Sequence, residues 1–250
     1  MTIDRTVKLQ STTRLPRHGA TEAAPPGLTR EAIVSAALAQ IDRDGLEAFS
    51  LRNLARALGV YPTALYWHVP GRNALLADVL ALVISPIAPG DGVSGWQDTL
   101  RRLMSNCRAA IRRHPNVAPL LGAQLVSNIG ANLALVEGVL DALAQAGFAG
   151  PRLVAAYNAV IAAMVGFTTQ EFAPMPEDAA SWQQAMRARL GSLPAGRYPL
   201  LSANLPMLAN RAFILRWQNG VEAPLDEGFE MFVDVVIRGL EALAATPPSL

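Results

Sequence analysis

The chain has 250 residues, 51% of them hydrophobic, a formal net charge of +1 at pH 7 and one cysteine, Cys107. That length and composition support one large or two modest domains with a sizeable core, and the near-neutral charge excludes a generally basic nucleic-acid coat, so any affinity for a polyanion must sit in a local patch. A lone cysteine excludes an internal disulfide, and no Cys/His cluster has metal-ligand spacing, so the composition predicts a cytoplasmic protein with no metal and no cofactor.

Residues 1–27 read as a flexible arm, with Pro16, Pro25 and Pro26, several Ser and Thr, and little apolar periodicity. Arg5, Lys8, Arg14 and Arg17 outnumber Asp4 and Glu22 there. The arm is either a tail without a role or a contact to a nucleic-acid minor groove or backbone. It carries no apolar run of a secretory signal.

Thr29 caps a helix whose inner stripe is Ile33, Ala36, Ala37 and Ile41 and which Gly45 ends. Ser50 caps the next, with Leu51, Leu54, Ala55 and Leu58 on one face. Gly59 supplies the left-handed residue of a helix exit, and Pro62 suits the first turn of a third helix. Leu65 and Val69 turn inward, while Tyr61, Thr63, Ala64, Tyr66 and His68 are expected outside and Trp67 inside. A fourth helix from Arg72 carries Leu75, Leu76, Val79, Leu80 and Val83. Two short helices across a tight turn, with polar and aromatic groups outward, have the geometry that enters a DNA major groove.

The motifs are specific. Thr29-Arg30-Glu31-Ala32-Ile33, Asp44-Gly45, Ser50-Leu51-Arg52-Asn53-Leu54-Ala55, Leu58-Gly59-Val60, Leu65-Tyr66-Trp67-His68-Val69 and Ala74-Leu75-Leu76 together resemble the DNA-binding domain of the tetracycline-repressor (TetR) family over residues 28–83. The run Leu-Tyr-Trp-His-Val is closest to the branch of the tetracycline repressors themselves.

The rest is helical in pattern. Helices are expected over Trp96–Arg113, 128–145 (closed by Gly147), 152–171, 181–189 and 225–244, with 197–223 irregular or weakly helical. The apolar run 153–167 falls short of the ~20 residues of a membrane span, so a buried helix and no membrane partner are expected. In the last helix Leu225, Phe229, Phe232, Val236, Leu240 and Leu243 are read as one face, with Met231, Val233, Val235 and Ile237 greasy elsewhere. Trp96-Gln97-Asp98, Ala146-Gly147-Phe148 and the run from Phe232 to Glu241 resemble the regulatory domain of the same family. The fold class expected is all-α: an arm (1–27), an N-terminal three-helix helix-turn-helix domain (28–72) and a C-terminal helical ligand-binding and dimerisation domain (73–245).

What the resemblance implies is a ligand-responsive regulator, most simply a repressor, that releases a palindromic DNA operator when a small molecule binds. Arg52 matches a base-reading position, where a guanidinium can bond guanine O6 and N7 together. Ser50, Tyr66, His68 and Arg72 match backbone-contact positions, and Thr63 can meet a base edge or thymine methyl. Tyr61 and Ala64 complete the outward set. Tetracycline repressors have threonine at Ala64 and proline at Thr63, so a different operator is expected. Pocket candidates are Met104, Cys107, Ile111, Gln124, Tyr157, Ile161, Met164, Thr168, Glu171 and Trp182, with plain helix core as the alternative for each. Leu120-Leu121-Gly122 stands where the tetracycline repressors place a metal-binding histidine, and Ala88 and Cys107 where a histidine and an aromatic grip the drug. Neither magnesium nor tetracycline therefore carries over, and the effector is unidentified. The implied homodimer is a four-helix bundle from helices 152–171 and 225–244 of two subunits, with Phe229, Phe232, Val233, Val236 and Leu240 as interface candidates. The rivals are a regulator without a small-molecule effector and an enzyme. Against the latter, His18, His68 and His114 are scattered, and neither an HExxH nor a Gly-x-Ser-x-Gly motif occurs.

Overall fold

The computed structural model describes residues 27–85, 87, 95–124, 133–176 and 178–246, and among them every regular element is a helix. The arm up to residue 26, Ala88 and the first residues of the helix expected from 128 lie outside the described residues.

The first helix, α1 (Arg30–Asp44), starts where Thr29 Oγ1 accepts the Ala32 N–H at 3.2 Å. The second, α2 (Leu51–Ala57), starts where Ser50 Oγ accepts the Asn53 N–H at 3.2 Å. It leaves through a closed turn: the Val60 N–H donates to Ala55 O (3.0 Å), the Gly59 N–H donates to Arg56 O (3.2 Å), and Gly59 sits at φ 68°. That pair of bonds satisfies carbonyls the helix cannot pair itself. Pro62 opens the five-residue α3 (Pro62–Tyr66), and α4 (Arg72–Ile84) follows. Ile33, Ala37, Ile41, Phe49, Leu54, Leu65, Val69, Leu75 and Val79 close the core of these four helices. Both nitrogens of an Arg30 fork meet Asp78 at 2.9 Å, aligning α1 with α4 at the surface.

The C-terminal part comprises α5 (Trp96–Arg113), a 3₁₀ turn (Pro115–Val117), α6 (Ala118–Gln124), α7 (Leu133–Gln145), α8 (Gly150–Glu171), α9 (Ala179–Gly191), α10 (Pro199–Leu208) and α11 (Asp226–Ala245). Its centre is α5, whose Leu100, Leu103, Met104, Cys107, Ala110 and Ile111 are buried and which packs against α4, α7, α8 and α11. At 22 residues α8 is long and apolar enough to cross a membrane, longer than the apolar run suggested. Its inner row Ala156, Val160, Met164, Thr168 and Glu171 is nevertheless buried within the helical core and ends in a carboxylate. Glu171 receives Arg108 through two short bonds, Nε to Oε2 at 2.7 Å and Nη2 to Oε1 at 2.6 Å. Its Oε1 also accepts the Leu225 N–H at 2.9 Å, so one carboxylate ties α5, α8 and the entry to α11.

Two expectations change. The region 197–223 holds a helix, α10, although no residue of it is buried. The core face of α11 is Phe229, Val233, Ile237 and Leu240, whereas Phe232 and Val236 are half-buried and Leu243 is exposed. A helix apolar on two sides leaves its inner stripe ambiguous from periodicity; the register is set by polar ties to α5. Arg101 meets Asp234 at 2.7 Å, Arg108 meets Asp226 at 2.8 Å, and Gln97 Nε2 donates to Glu241 at 3.0 Å.

Gly59→Ala is expected to destabilise the protein by about 1–2 kcal/mol, the cost of a left-handed backbone with a Cβ, since no neighbour lies within 4 Å of the added methyl. Urea unfolding checks it: the midpoint should fall with the slope unchanged.

Candidate functional site

The four N-terminal helices turn one group of side chains to solvent. Arg52 on α2 is exposed and makes no hydrogen bond or ion pair among the described residues. One turn on, Arg56 Nη1 donates to Asn53 Oδ1 at 3.3 Å, leaving the rest of its fork free. On α3 and its exit, Tyr61 is 84% exposed, Tyr66 55% and Trp67 54%, and Thr63 is exposed beside them. These rings and guanidiniums lie on the two short helices and the turn between them, a surface able to meet both phosphates and base edges.

Two expectations about this surface, for Trp67 and Ala64, are corrected. Trp67 is outside: the inward contacts are made by Leu65 and Val69, both 0% exposed and one helical turn apart, so residues 66 and 67 between them face solvent. The expectation that an aromatic in so small a domain belongs to its core missed it; the signal was the spacing of Leu65 and Val69. Ala64 is buried and offers no side-chain contact outward. Arg72 is engaged, its Nη2 donating to Leu46 O at 3.3 Å and its guanidinium 5.7 Å from the Phe49 ring centre, so it braces the connection between α1 and α2. Ser50 keeps a hydroxyl proton to donate while its oxygen caps α2. His68 is half-buried, and its enclosed Nε2 has no hydrogen-bond partner.

The pocket candidates are brought together, but as core. Met104, Cys107 and Ile111 on α5 and Met164 and Thr168 on α8 are all at least 96% buried, with Tyr157 and Ile161 partly buried at the edge of the same packing. Two inward apolar stripes have closed on each other. Glu171 is taken by Arg108, whose pKa is raised above its ordinary value chiefly by the hydrogen bond to that carboxylate. Trp182 sits half-buried on α9, and the Gln124 side chain lies outside the described residues. The clefts lie elsewhere. One of about 900 Å³ is lined by Phe167, Asn210, Phe213, Gln218 and Leu225 among others, between the C-terminal end of α8 and the loop into α11. One of about 580 Å³ runs between α5 and α11, past Arg101, Ser105, Arg108 and Asp226. Among the described residues no group of three or more His, Cys, Asp or Glu side chains gathers as a metal site.

The interface candidates divide. Phe229, Val233 and Leu240 are buried within the chain, and Phe232 and Val236 border the outer stripe. The exposed apolar residues of α11 are Met231 (67%), Val235 (61%) and Leu243 (57%), and α8 exposes Val154 (59%).

Glu171→Ala would leave the Arg108 guanidinium buried without its main partner, and a loss of about 3 kcal/mol is expected in urea unfolding. Burial pushes the Cys107 thiol up to about 12, so the reactive thiolate is scarce at pH 8 in the folded state. A chromogenic disulfide reagent at pH 8 should therefore label Cys107 no faster than the protein unfolds, and fast labelling of the folded form would count against that burial.

Residues 33–79 match the model of the bacterial regulatory proteins of the tetR family, and residues 88–244 match the tetracyclin repressor-like C-terminal domain. An HTH-type transcriptional regulator of Saccharopolyspora erythraea is 34% identical over 182 residues, spanning 72% of this chain and 76% of the relative. The HTH-type transcriptional repressor DrrR1 of Streptomyces coeruleorubidus is 30% identical over 217 residues, spanning 80% of this chain and 76% of the relative. In fold, ActR of Streptomyces coelicolor, solved in complex with actinorhodin, superimposes with a TM-score of 0.68 over 88% of this chain and 99% of that one, at 24% identity. With both family models matched in the order of the two halves just described, the chain belongs to the TetR family of transcriptional regulators.

Proposed function

We propose that the protein is a cytoplasmic homodimeric repressor that binds a palindromic operator and releases it when a small molecule occupies its C-terminal domain. The observation that carries this is the exposed set Arg52, Tyr61, Thr63, Tyr66 and Trp67 on a helix pair held to the core by Leu54, Ala55, Ala64 and Leu65. In this reading residues 28–72 are the reading head and residues 73–245 the regulatory and dimerisation domain. No catalytic step is part of it.

One short helix reads few base pairs, so two heads on a two-fold axis are needed, with half-sites about a helical turn or a multiple apart. The outer stripes of α8 and α11 supply the surface for that axis. Met231, Val235 and Leu243, with Gly239 and Ala242 between them, and Val154, Ala155 and Ala162 on α8 are exposed, apolar and small enough for close helix contact. Phe232 and Val236 join this stripe, while Phe229, Val233 and Leu240 support it from inside.

At the DNA, Arg52 reads a base and Tyr66, Trp67 and Ser50 hold the backbone, with Thr63 and Tyr61 flanking. For the effector, the loop cleft beside Phe167 and Phe213 offers an aromatic wall and amide groups from Asn210 and Gln218. ActR, a protein of the same fold, is described with actinorhodin bound. The second reading, a regulator without a small-molecule effector, draws on the closed packing of α5 against α8.

Arg52→Ala is expected to weaken operator binding by about 1–3 kcal/mol, read by fluorescence anisotropy, with an unchanged melting temperature. Unfolding of that variant would make Arg52 structural. Operator affinity should fall steeply between about 50 and 200 mM salt, because each neutralised phosphate releases counterions. In a thermal-shift panel of apolar and aromatic small molecules, at least one compound should raise the melting temperature and release the operator; a panel without a hit favours the second reading.

A further inference from the structure

Among the described residues two junctions between the head and the regulatory domain stand out. One is covalent and continuous: α4 leaves the head and packs on α5 and α6. The other is a set of side-chain bonds at the far end of α1. The last carbonyls of a helix have no partner within it and must be satisfied from outside. In α1 the Asn116 amide does this from the 3₁₀ turn of the regulatory domain. Both donations come from Nδ2, to Ile41 O at 3.0 Å and to Asp42 O at 3.1 Å. Beside it, His114 Nδ1 lies 2.8 Å from Asp42 Oδ2, where its N–H tautomer donates to the carboxylate. Gly45 N–H takes the same Ile41 oxygen at 2.9 Å.

These bonds sit on a short, stiff piece of chain. Pro115 restricts the turn, Val117 N–H closes it on His114 O at 3.0 Å, and Val117 and Ala118, both 0% exposed, anchor it to the regulatory core where α6 begins. On the head side, the residues that follow α1 run through Leu46 to Ser50, the cap of α2, and Arg72 holds Leu46 O from α4. A shift of the turn is therefore passed to the α1 end and, through the segment from Leu46 to the Ser50 cap, on to the helix that carries Arg52.

We infer that Asn116, with His114, is a positioning residue of the reading head: it caps α1 from the regulatory domain and so sets the angle, and hence the separation, at which the two heads of the dimer meet DNA. The inference rests on the dimeric operator-binding reading and adds the element that fixes the spacing. A dimer whose heads are held at one separation gains its second half-site only when the half-sites match that separation; a dimer with loosened heads tolerates several.

The test uses the full-length protein and a palindrome that wild type itself selects from random-sequence duplex DNA, remade with the centre lengthened or shortened by one or two base pairs. Wild type is expected to lose about a hundredfold in affinity on the altered spacings, as bivalent binding is lost. Asn116→Ala, folded by circular dichroism, is expected to bind the best spacing within about threefold of wild type and to lose less than about tenfold on the others. Asn116→His, which can still donate one bond to the same carbonyls, should recover part of the discrimination. A purely structural role would lower the melting temperature and leave the spacing penalty where it was, which overturns the inference. If Asn116→Ala does not fold, His114→Ala removes only the contact to Asp42 and carries the same measurement; if neither folds, the joint is structural and the inference fails. Failure of wild type to select any palindrome would overturn the operator-binding reading together with this one, whereas an unchanged penalty in a variant that binds well overturns this one alone.

Discussion

The C-terminal half is organised around one buried carboxylate. Glu171, fully enclosed, ends the inner row of α8, receives both arms of the Arg108 fork and accepts the first N–H before α11. A charge so placed is tolerable only if its partner and every lone pair are satisfied, so three elements are committed to one geometry. The chain around it is equally constrained: Gly220 N–H donates to Glu171 O at 2.7 Å, and a Cβ on Gly220 would stand 2.4 Å from Glu171 Cγ. Arg108 also stacks 4.6 Å from the Phe229 ring centre and reaches Asp226, so the same ion pair sets where α11 begins and which of its sides faces α5. With that side fixed, Met231, Val235 and Leu243 have no course but outward.

The head obeys shorter-range rules. Its helices of seven and five residues are too short to be stable alone, and their ends are settled by local partners: Ser50 on Asn53, Gly59 and Val60 on the carbonyls of α2, and Pro62 in the first turn of α3. Local rules of this kind can be read from a sequence because donor and acceptor lie within a few residues. The caps, the turn at Gly59, the bounds of α5 and the helix-turn-helix arrangement were all legible for that reason, as was the exposure of Arg52, Tyr61, Thr63 and Tyr66.

What was not legible depends on partners far along the chain. Arg108 and Glu171 are 63 positions apart, and Glu171 read as a polar group lining a pocket because nothing local shows which arginine will meet it. The row Met104, Cys107 and Ile111 and the row Met164 and Thr168 each have the spacing of a pocket wall and of a core; only the approach of α5 to α8 decides, and it closes them. The inner face of α11 was misread because it carries apolar residues on two sides and is oriented by Asp226, Asp234 and Glu241 meeting α5. Trp67 is a different case. Its surroundings were local, but a prior about aromatic residues was given more weight than the spacing of Leu65 and Val69.

A head built by local bonds and a body built by distant ones are joined where the two kinds of constraint meet, at the end of α1. The core of the head runs through α4 into that of the body, so a displacement of the body is passed to the head as a unit rather than by unfolding it. Coupling free energies between sites are typically about 1–3 kcal/mol, which is the scale of a few hydrogen bonds such as those of Asn116 and His114, and well below that of the Arg108–Glu171 pair or the core around Ile33 and Leu65.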